Sequence, residues 1–390
     1  MKRSTDRILT THVGSLIRPP EIMEFMRART NNQPYDEKSF AKSLQSAVAQ
    51  VVRQQAEIGI DVISDGEFGK TGFAAYIGER LTGFEQKPHK PGDPEEPIGK
   101  DRKNFAAFYA DYDRMFGFGR PGGRTTWVCT GPITYKPQLI QIDIANFKTA
   151  LNDEKVEEAF MPVVAPATVE MGRRNEYYPN DEAYLYAIAD ALKEEYRAIV
   201  EAGFLVQLDD PWLAVSWDRM LPDINLPQFQ KFCELRIAAT NHALAGIPKD
   251  RIRYHTCWGS WHGPHSTDIP MKDIVTLLLK INTGAYVFEA ANVRHEHEWT
   301  VWRDVKPPEG MMLIPGVVTH STDLIEHPDL VAQRIVRLAK LVGRENVLAG
   351  TDCGFSQGPF TAKVHSSIQW AKLRALVQGA ELASKELWRA

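Results

Sequence analysis

The chain has 390 residues, with 46 Lys and Arg against 50 Asp and Glu and a formal net charge of −4. Apolar residues make up 43% and charged residues 25%, a balance that supports a large buried core and excludes disordered and fibrous classes. With no basic stripe, nucleic acid is not an expected partner, and no run nears the roughly 18 apolar residues of a membrane helix. The opening MKRSTDRILTTHVGS lacks the apolar stretch of a signal peptide. Four scattered cysteines, Cys129, Cys233, Cys257 and Cys353, do not make a disulfide scaffold and fit a reducing, cytoplasmic setting.

In chain order, short apolar β-prone runs lie at residues 8–13, 60–64, 126–130, 162–169, 204–208, 252–255, 286–288, 312–318 and 347–349. Most are apolar on both faces, as in a parallel sheet covered by helices. Helical periodicity predicts helices over 38–57, 181–202, 226–245, 271–281, 328–342 and 362–387. Gly59, Gly203, Gly246 and Gly343 stand where several of them should stop. Alternation of this kind predicts an α/β fold, either a closed (β/α)8 barrel or an open doubly wound sheet. No GxGxxG or Walker sequence supports the open form, so a single-domain (β/α)8 TIM barrel over 1–390 is expected. Of nine candidate strands, 162–169, with two prolines, is the one expected outside the barrel.

An insertion is expected after the second strand. Residues 87–103 are proline-rich and charged, which reads as an exposed loop. Phe105, Phe108, Tyr109, Tyr112 and Phe116 follow at helical spacing. The 85–125 stretch is therefore either a surface insertion or a lid over the barrel mouth.

Chemistry gathers where strands end. His255 and Cys257 stand two apart at the end of one strand, so they share a face, and Glu289 and Cys353 follow two later strands. In a barrel these ends converge on one mouth. One imidazole, two thiolates and a carboxylate make a zinc set and disfavour magnesium or calcium. The alternative is that Cys257 and Cys353 are ordinary core thiols, as Cys129 and Cys233 are read to be. Ser15, Asp65, Glu67, Asp209, Asp210, His320 and Ser321 stand at other strand ends and would line the same mouth, although each taken singly could be a cap or turn former.

The ordered segments Thr11-His-Val-Gly-Ser15, Gly59-Ile-Asp-Val-Ile-Ser-Asp-Gly-Glu67, Gln207-Leu-Asp-Asp-Pro211, His255-Thr-Cys257, Phe288-Glu289, Pro315-Gly-Val-Val-Thr-His320 and Gly350-Thr-Asp-Cys-Gly354 resemble the catalytic domain of cobalamin-independent methionine synthases, a zinc (β/α)8 barrel. The chain is similar to the short, single-barrel branch, whose relatives include epoxyalkane:coenzyme M transferase. The resemblance implies zinc on His255, Cys257, Glu289 and Cys353, a thiol substrate's amino-acid part on Ser15, Glu67 and Asp209, and His320 as the acid that assists the donor's departure. The implied substrates are a small thiol, homocysteine first, and an alkyl donor; a homo-oligomer is left open. Where folate-using members carry Arg-Asn-Asp, this chain has Gly69-Lys-Thr-Gly72, which leaves the donor open. Arg294, His295 and His297 could bind an anionic group, orient Glu289 or serve as plain salt-bridge partners. A thiol alkyltransferase, a zinc hydrolase and a protein with structural zinc are the functional classes that remain.

Overall fold

In a computed structural model of the protein, the described residues are 1–88, 98–116, 125–152, 154–358 and 363–388. Among them, seven strands form a parallel sheet in the order Val62–Ile63, Glu158–Val164, Leu205–Asp209, Ile252–Thr256, Ala285–Phe288, Met312–Val318 and Gly350–Thr351. Two parallel bridges close it: Thr10 pairs with Ala349 and Thr11 with Val62. The segment around Thr10 is thus the first member of an eight-membered ring, the TIM-barrel arrangement expected from the alternation.

Period-two alternation sorts the side chains. Leu9, Val13, Val62, Phe160, Leu205, Ala285, Val287, Met312, Ile314 and Leu348 form a small cluster of their own, the packing inside the ring. Intervening residues such as Val206, Leu208, Tyr254, Tyr286 and Phe288 join the larger cluster under the helices. Each aliphatic side chain so buried stabilises the fold by roughly 1.5–3 kcal/mol. The covering helices begin at recognisable caps: Asp36 accepts from the Lys38 and Ser39 amides at the start of Glu37–Glu57, and Asn225 with Gln228 makes a capping box at Leu226–Ala243.

Two expectations about strands are corrected. The 162–169 segment was expected outside the barrel, yet Glu158–Val164 is its third member, and Pro166 opens the short helix Pro166–Glu170. Pro162 is tolerated because Val62–Ile63 pairs only with Glu158 and Ala159. Beyond that point the strand has a hydrogen-bonded neighbour on one side alone, and a missing amide costs no ladder bond there. Conversely, Thr125–Cys129 is not a barrel strand. It pairs antiparallel with Phe84–Pro88 and parallel with Arg173–Asn175 in a separate three-stranded sheet.

Two strands of that small sheet belong to the insertion after the second barrel strand, and the third, Arg173–Asn175, follows the third barrel strand. Most of the proline-rich stretch lies outside the described residues, and the aromatic segment is the helix Ala106–Phe116. Its aromatic face is only partly covered: Phe105 and Phe108 are 40% and 42% exposed, whereas Tyr109 is 3% exposed. The insertion is anchored by Arg80, at the end of the helix Ile77–Arg80, which ion-pairs with Asp143 and Glu195 on two covering helices. Among the described residues no helix is long and apolar enough to cross a membrane.

Candidate active site at the barrel mouth

Alternation places the inward residues at the carboxyl ends of neighbouring strands side by side. Asp209 pairs in register with His255, and His255 Nδ1 lies 3.0 Å from Asp209 Oδ1. That hydrogen bond puts the ring hydrogen on Nδ1 and turns Nε2 towards the mouth, where it is buried and has no partner. His255, Cys257 and Cys353 are all buried, and their ligand atoms lie within 4.8 Å of one another. An unpartnered imidazole nitrogen beside two sulfurs is a group that could hold a metal ion, which would displace any proton there.

The electrostatics of the group follow from its isolation from water. Burial would lower the His255 pKa, but the hydrogen bond and charge of Asp209, with the charges of Cys353 and Glu289, push it up to about 9. The thiol of Cys257 donates to Cys353, which draws the Cys353 pKa down to about 6 and drives that of Cys257 well up. One sulfur of the pair is thus already disposed to be a thiolate.

Glu289, implied as a fourth ligand, is not in this close group of three. Trp258 N donates to its Oε1 at 2.9 Å and Asn292 Nδ2 to its Oε2 at 2.6 Å. Burial, then the nearby Asp352 carboxylate, push its pKa up to about 8. Asp352, which sequence reasoning missed although it adjoins Cys353, accepts from the amides of Ala290 and Ala291 at 2.8 Å each. It thereby ties the Glu289 loop to the Cys353 loop.

The early strands supply the opposite wall. Gly14 has a φ of +136°, and a Cβ there would stand 2.6 Å from Pro162 Cγ and 3.1 Å from Glu67 Oε1; only glycine fits between them. Glu67 itself has a φ of 60°, a left-handed conformation that a non-glycine residue holds at a cost of about 1–3 kcal/mol. Its carboxylate lies 3.6 Å from Lys70 Nζ. Burial, opposed by Lys70 and assisted by the charge of Asp209, raises its pKa to about 7. Ser15 accepts from the Ser356 amide at 3.3 Å, and a Cβ on Gly354 would fall 2.0 Å from Ser15 Oγ. The chain's start and the Cys353 loop therefore meet in the site. His320 stands on the remaining side, with Ser260 Oγ 2.6 Å from its Nε2. His255 Nε2 and His320 Nδ1, both at the carboxyl side of their strands, are buried without a partner, which fits a ligand site because buried polar atoms are normally paired.

The stretch after Glu289 divides. Arg294 reaches the Ser266 carbonyl at 3.1 Å and is exposed. His295 is buried, stacks on Trp258 with ring centroids 4.0 Å apart, and bonds Glu298 at 2.9 Å and Asp268 at 3.1 Å. Burial lowers the His295 pKa, but Asp268 and Glu298 overcome it and hold it at about 9 against an ordinary 6.5. A raised folded-state pKa means that this contribution to stability is fully present below pH 6.5 and is lost as pH rises through about 9. Urea unfolding of His295→Gln is expected to show a deficit of roughly 2–3 kcal/mol at acidic pH that shrinks across that window. A deficit independent of pH would assign His295 to stacking alone.

The geometry has counterparts among known proteins. Residues 8–90 match the family model described as the cobalamin-independent synthase catalytic domain. The protein named methionine synthase from Thermococcus kodakarensis is 22% identical over 381 residues, covering 97% of this chain and 94% of its own length. The chain is similar to this relative over nearly its whole length. A Sulfolobus acidocaldarius member, also named methionine synthase, is 23% identical over 385 residues and covers 97% of the chain and 93% of its own length. The fold of the synthase family is shared as well: a structure of a B12-independent methionine synthase from Shewanella sp. W3-18-1, in complex with selenomethionine, superposes with a TM-score of 0.72 at 19% identity. The match covers 98% of this chain and all of that one. The shared fold is the single barrel described above, matched along the full length of that structure.

Proposed function

We propose that the protein is a zinc-dependent enzyme that transfers a methyl group to the thiol of homocysteine. The observation that carries this is the unpartnered His255 Nε2 beside Cys257 and Cys353, in a chain whose full-length relatives are named methionine synthases. His255, Cys257 and Cys353 would hold the metal, with Glu289 as the fourth donor. Bound there, zinc would lower the pKa of a substrate thiol from its ordinary ~8.5 and keep it as the nucleophilic thiolate.

The rest of the work falls to the chain's own residues. Asp209 accepts from His255 Nδ1 and keeps the unpartnered Nε2 free to face the metal. Ser15, Glu67 and Asp209 would bind the amino-acid part of the thiol. His320 would give a proton to the donor's leaving atom. Residues 85–125 would act as a lid over this mouth, since Trp261 Nε1 donates to Tyr109 Oη at 3.0 Å across from the loop that follows Cys257. The four buried free thiols support a cytoplasmic setting.

One observation favours a second thiol. The Glu67 carboxylate, which would take the ammonium of homocysteine, is already faced by Lys70 at 3.6 Å. An acceptor without an amino group, such as coenzyme M, would leave that pair intact, and the reaction would then be alkyl transfer from another donor. The test is to incubate zinc-loaded protein with homocysteine or coenzyme M, each against methyl-folate and a simple epoxide, and to identify the thioether by mass. Methionine from methyl-folate is the expected product, with hydrogen exchange over 106–116 slowed when both substrates are present. A thioether of coenzyme M alone would establish the second reading, and no thioether in any arm would remove both.

A further inference from the structure

Three elements meet at His320 in a way the proposed transfer has not used. Lys363 Nζ donates to Ser260 Oγ at 2.8 Å, and Ser260 Oγ lies 2.6 Å from His320 Nε2. Ser260 sits in the loop after the strand Ile252–Thr256, and Lys363 just before the helix Ser366–Trp388. An ammonium group only donates, and a serine hydroxyl has a single hydrogen. With its oxygen accepting from Lys363, Ser260 can spend its hydrogen on His320 Nε2, and Lys363 Nζ, which only donates, also lies 3.5 Å from that nitrogen, so both neighbours favour a bare Nε2. The hydrogen of the neutral ring then sits on Nδ1, the buried atom that has no partner in the protein.

We infer that Lys363 and Ser260 fix His320 in the tautomer carrying its hydrogen on Nδ1, and that they resupply the proton which Nδ1 gives to the leaving atom. This rests on the transfer reading above. The thiolate sulfur's electron pair forms the new S–C bond, and the pair of the broken bond passes to the donor's nitrogen or oxygen, which takes the proton from Nδ1. As Nδ1 gives up its proton, the Ser260 hydroxyl proton moves to Nε2 and a Lys363 proton to Ser260 Oγ; the ring resets when Nδ1 takes a proton from solvent and Nε2 returns its own through Ser260 Oγ to the Lys363 amine. Nothing is oxidised or reduced. Burial, together with Lys363, His255, His262 and Lys372 around the ring, holds His320 neutral. Burial also brings Lys363 down to about 8, against the opposing charges of Cys353, Glu289 and Cys257. A lysine there can release a proton near neutrality.

Nitrogen NMR of zinc-loaded protein containing 15N-histidine, with His320 assigned by its loss in His320→Gln, reads the tautomer without turnover. The wild type is expected to show a protonated Nδ1 and a bare Nε2 near neutral pH, and Ser260→Ala a mixture of both tautomers. In turnover, Ser260→Ala and Lys363→Met are each expected to lower kcat and kcat/KM alike by about 10²-fold. Lys363→Arg keeps a donor that does not deprotonate, so it should restore the tautomer and not the rate. A hydrogen on Nε2 or a charged ring in the wild type overturns the inference, as does a wild-type kcat in Ser260→Ala. The assigned tautomer in a protein that methylates no thiol would support the fixed ring and overturn the transfer reading instead.

Discussion

Cys353→Ala is expected to strip the protein of stoichiometric zinc after dialysis against a weak chelator, and Cys257→Ala to do the same. A zinc site contributes roughly 10–16 kcal/mol of binding free energy, so one donor of four is worth on the order of 3 kcal/mol, or about 10²-fold in Kd. Neither loss is confined to packing, because both sulfurs belong to the buried group whose ligand atoms lie within 4.8 Å. Asp209→Asn reaches the metal group only through the far nitrogen of His255, and a change at such an outer partner costs about 10–100-fold in affinity. Glu289→Gln should cost least, because that carboxylate is held by Trp258 and Asn292 outside the close group. Zinc content by mass spectrometry, paired with a competition titration, checks the order. One tightly held zinc in both cysteine variants would sink the assignment.

The largest effect on stability is expected at Arg80, which is 1% exposed between Asp143 and Glu195. Arg80→Met leaves two carboxylates buried without their cation, and breaking such a set costs about 3–5 kcal/mol. The ring of Tyr76, 4.8 Å from the guanidinium carbon, cannot replace the lost charge. Adding Asp143→Asn and Glu195→Gln to Arg80→Met should recover much of the loss, since the uncompensated charges then disappear. Urea denaturation of the single and triple variants measures this, and a single variant within about 1 kcal/mol of wild type would show that the pair contributes little net stability. The cation joins the helix Ile77–Arg80, which leads into the insertion, to two covering helices, so the triad fixes the root of the proposed lid.

The alternation of apolar runs with helical patterns made the barrel legible, because strands buried on both faces and helices ended by glycine leave separate periodicities. The His255, Cys257 and Cys353 group was legible for the same reason: residues two apart on a strand share a face, and parallel strands end together. Pro162 misled because its cost depends on how far the neighbouring strand extends, which the local sequence does not contain. Thr125–Cys129 misled in the opposite sense, being apolar for a sheet outside the ring. Asp352, Ser260 and Lys363 were missed because their roles come from loops that fold back over the mouth. Asp352 alone offered a signal, as the acidic neighbour of a candidate ligand.

The bridge between Thr10 and Ala349 also sets an order in time. A ring whose first and last members pair directly cannot close before residue 349 has been made. A nascent chain that has emerged only through Val342 already contains His255 and Cys257, but neither Cys353 nor the neighbour that Thr10 needs. Contacts of such long sequence separation form late and slowly. Under the proposed metal reading, capture by His255, Cys257 and Cys353 together would have to follow the emergence of Cys353, so the ring's closure and the donor set would be completed at the same stage.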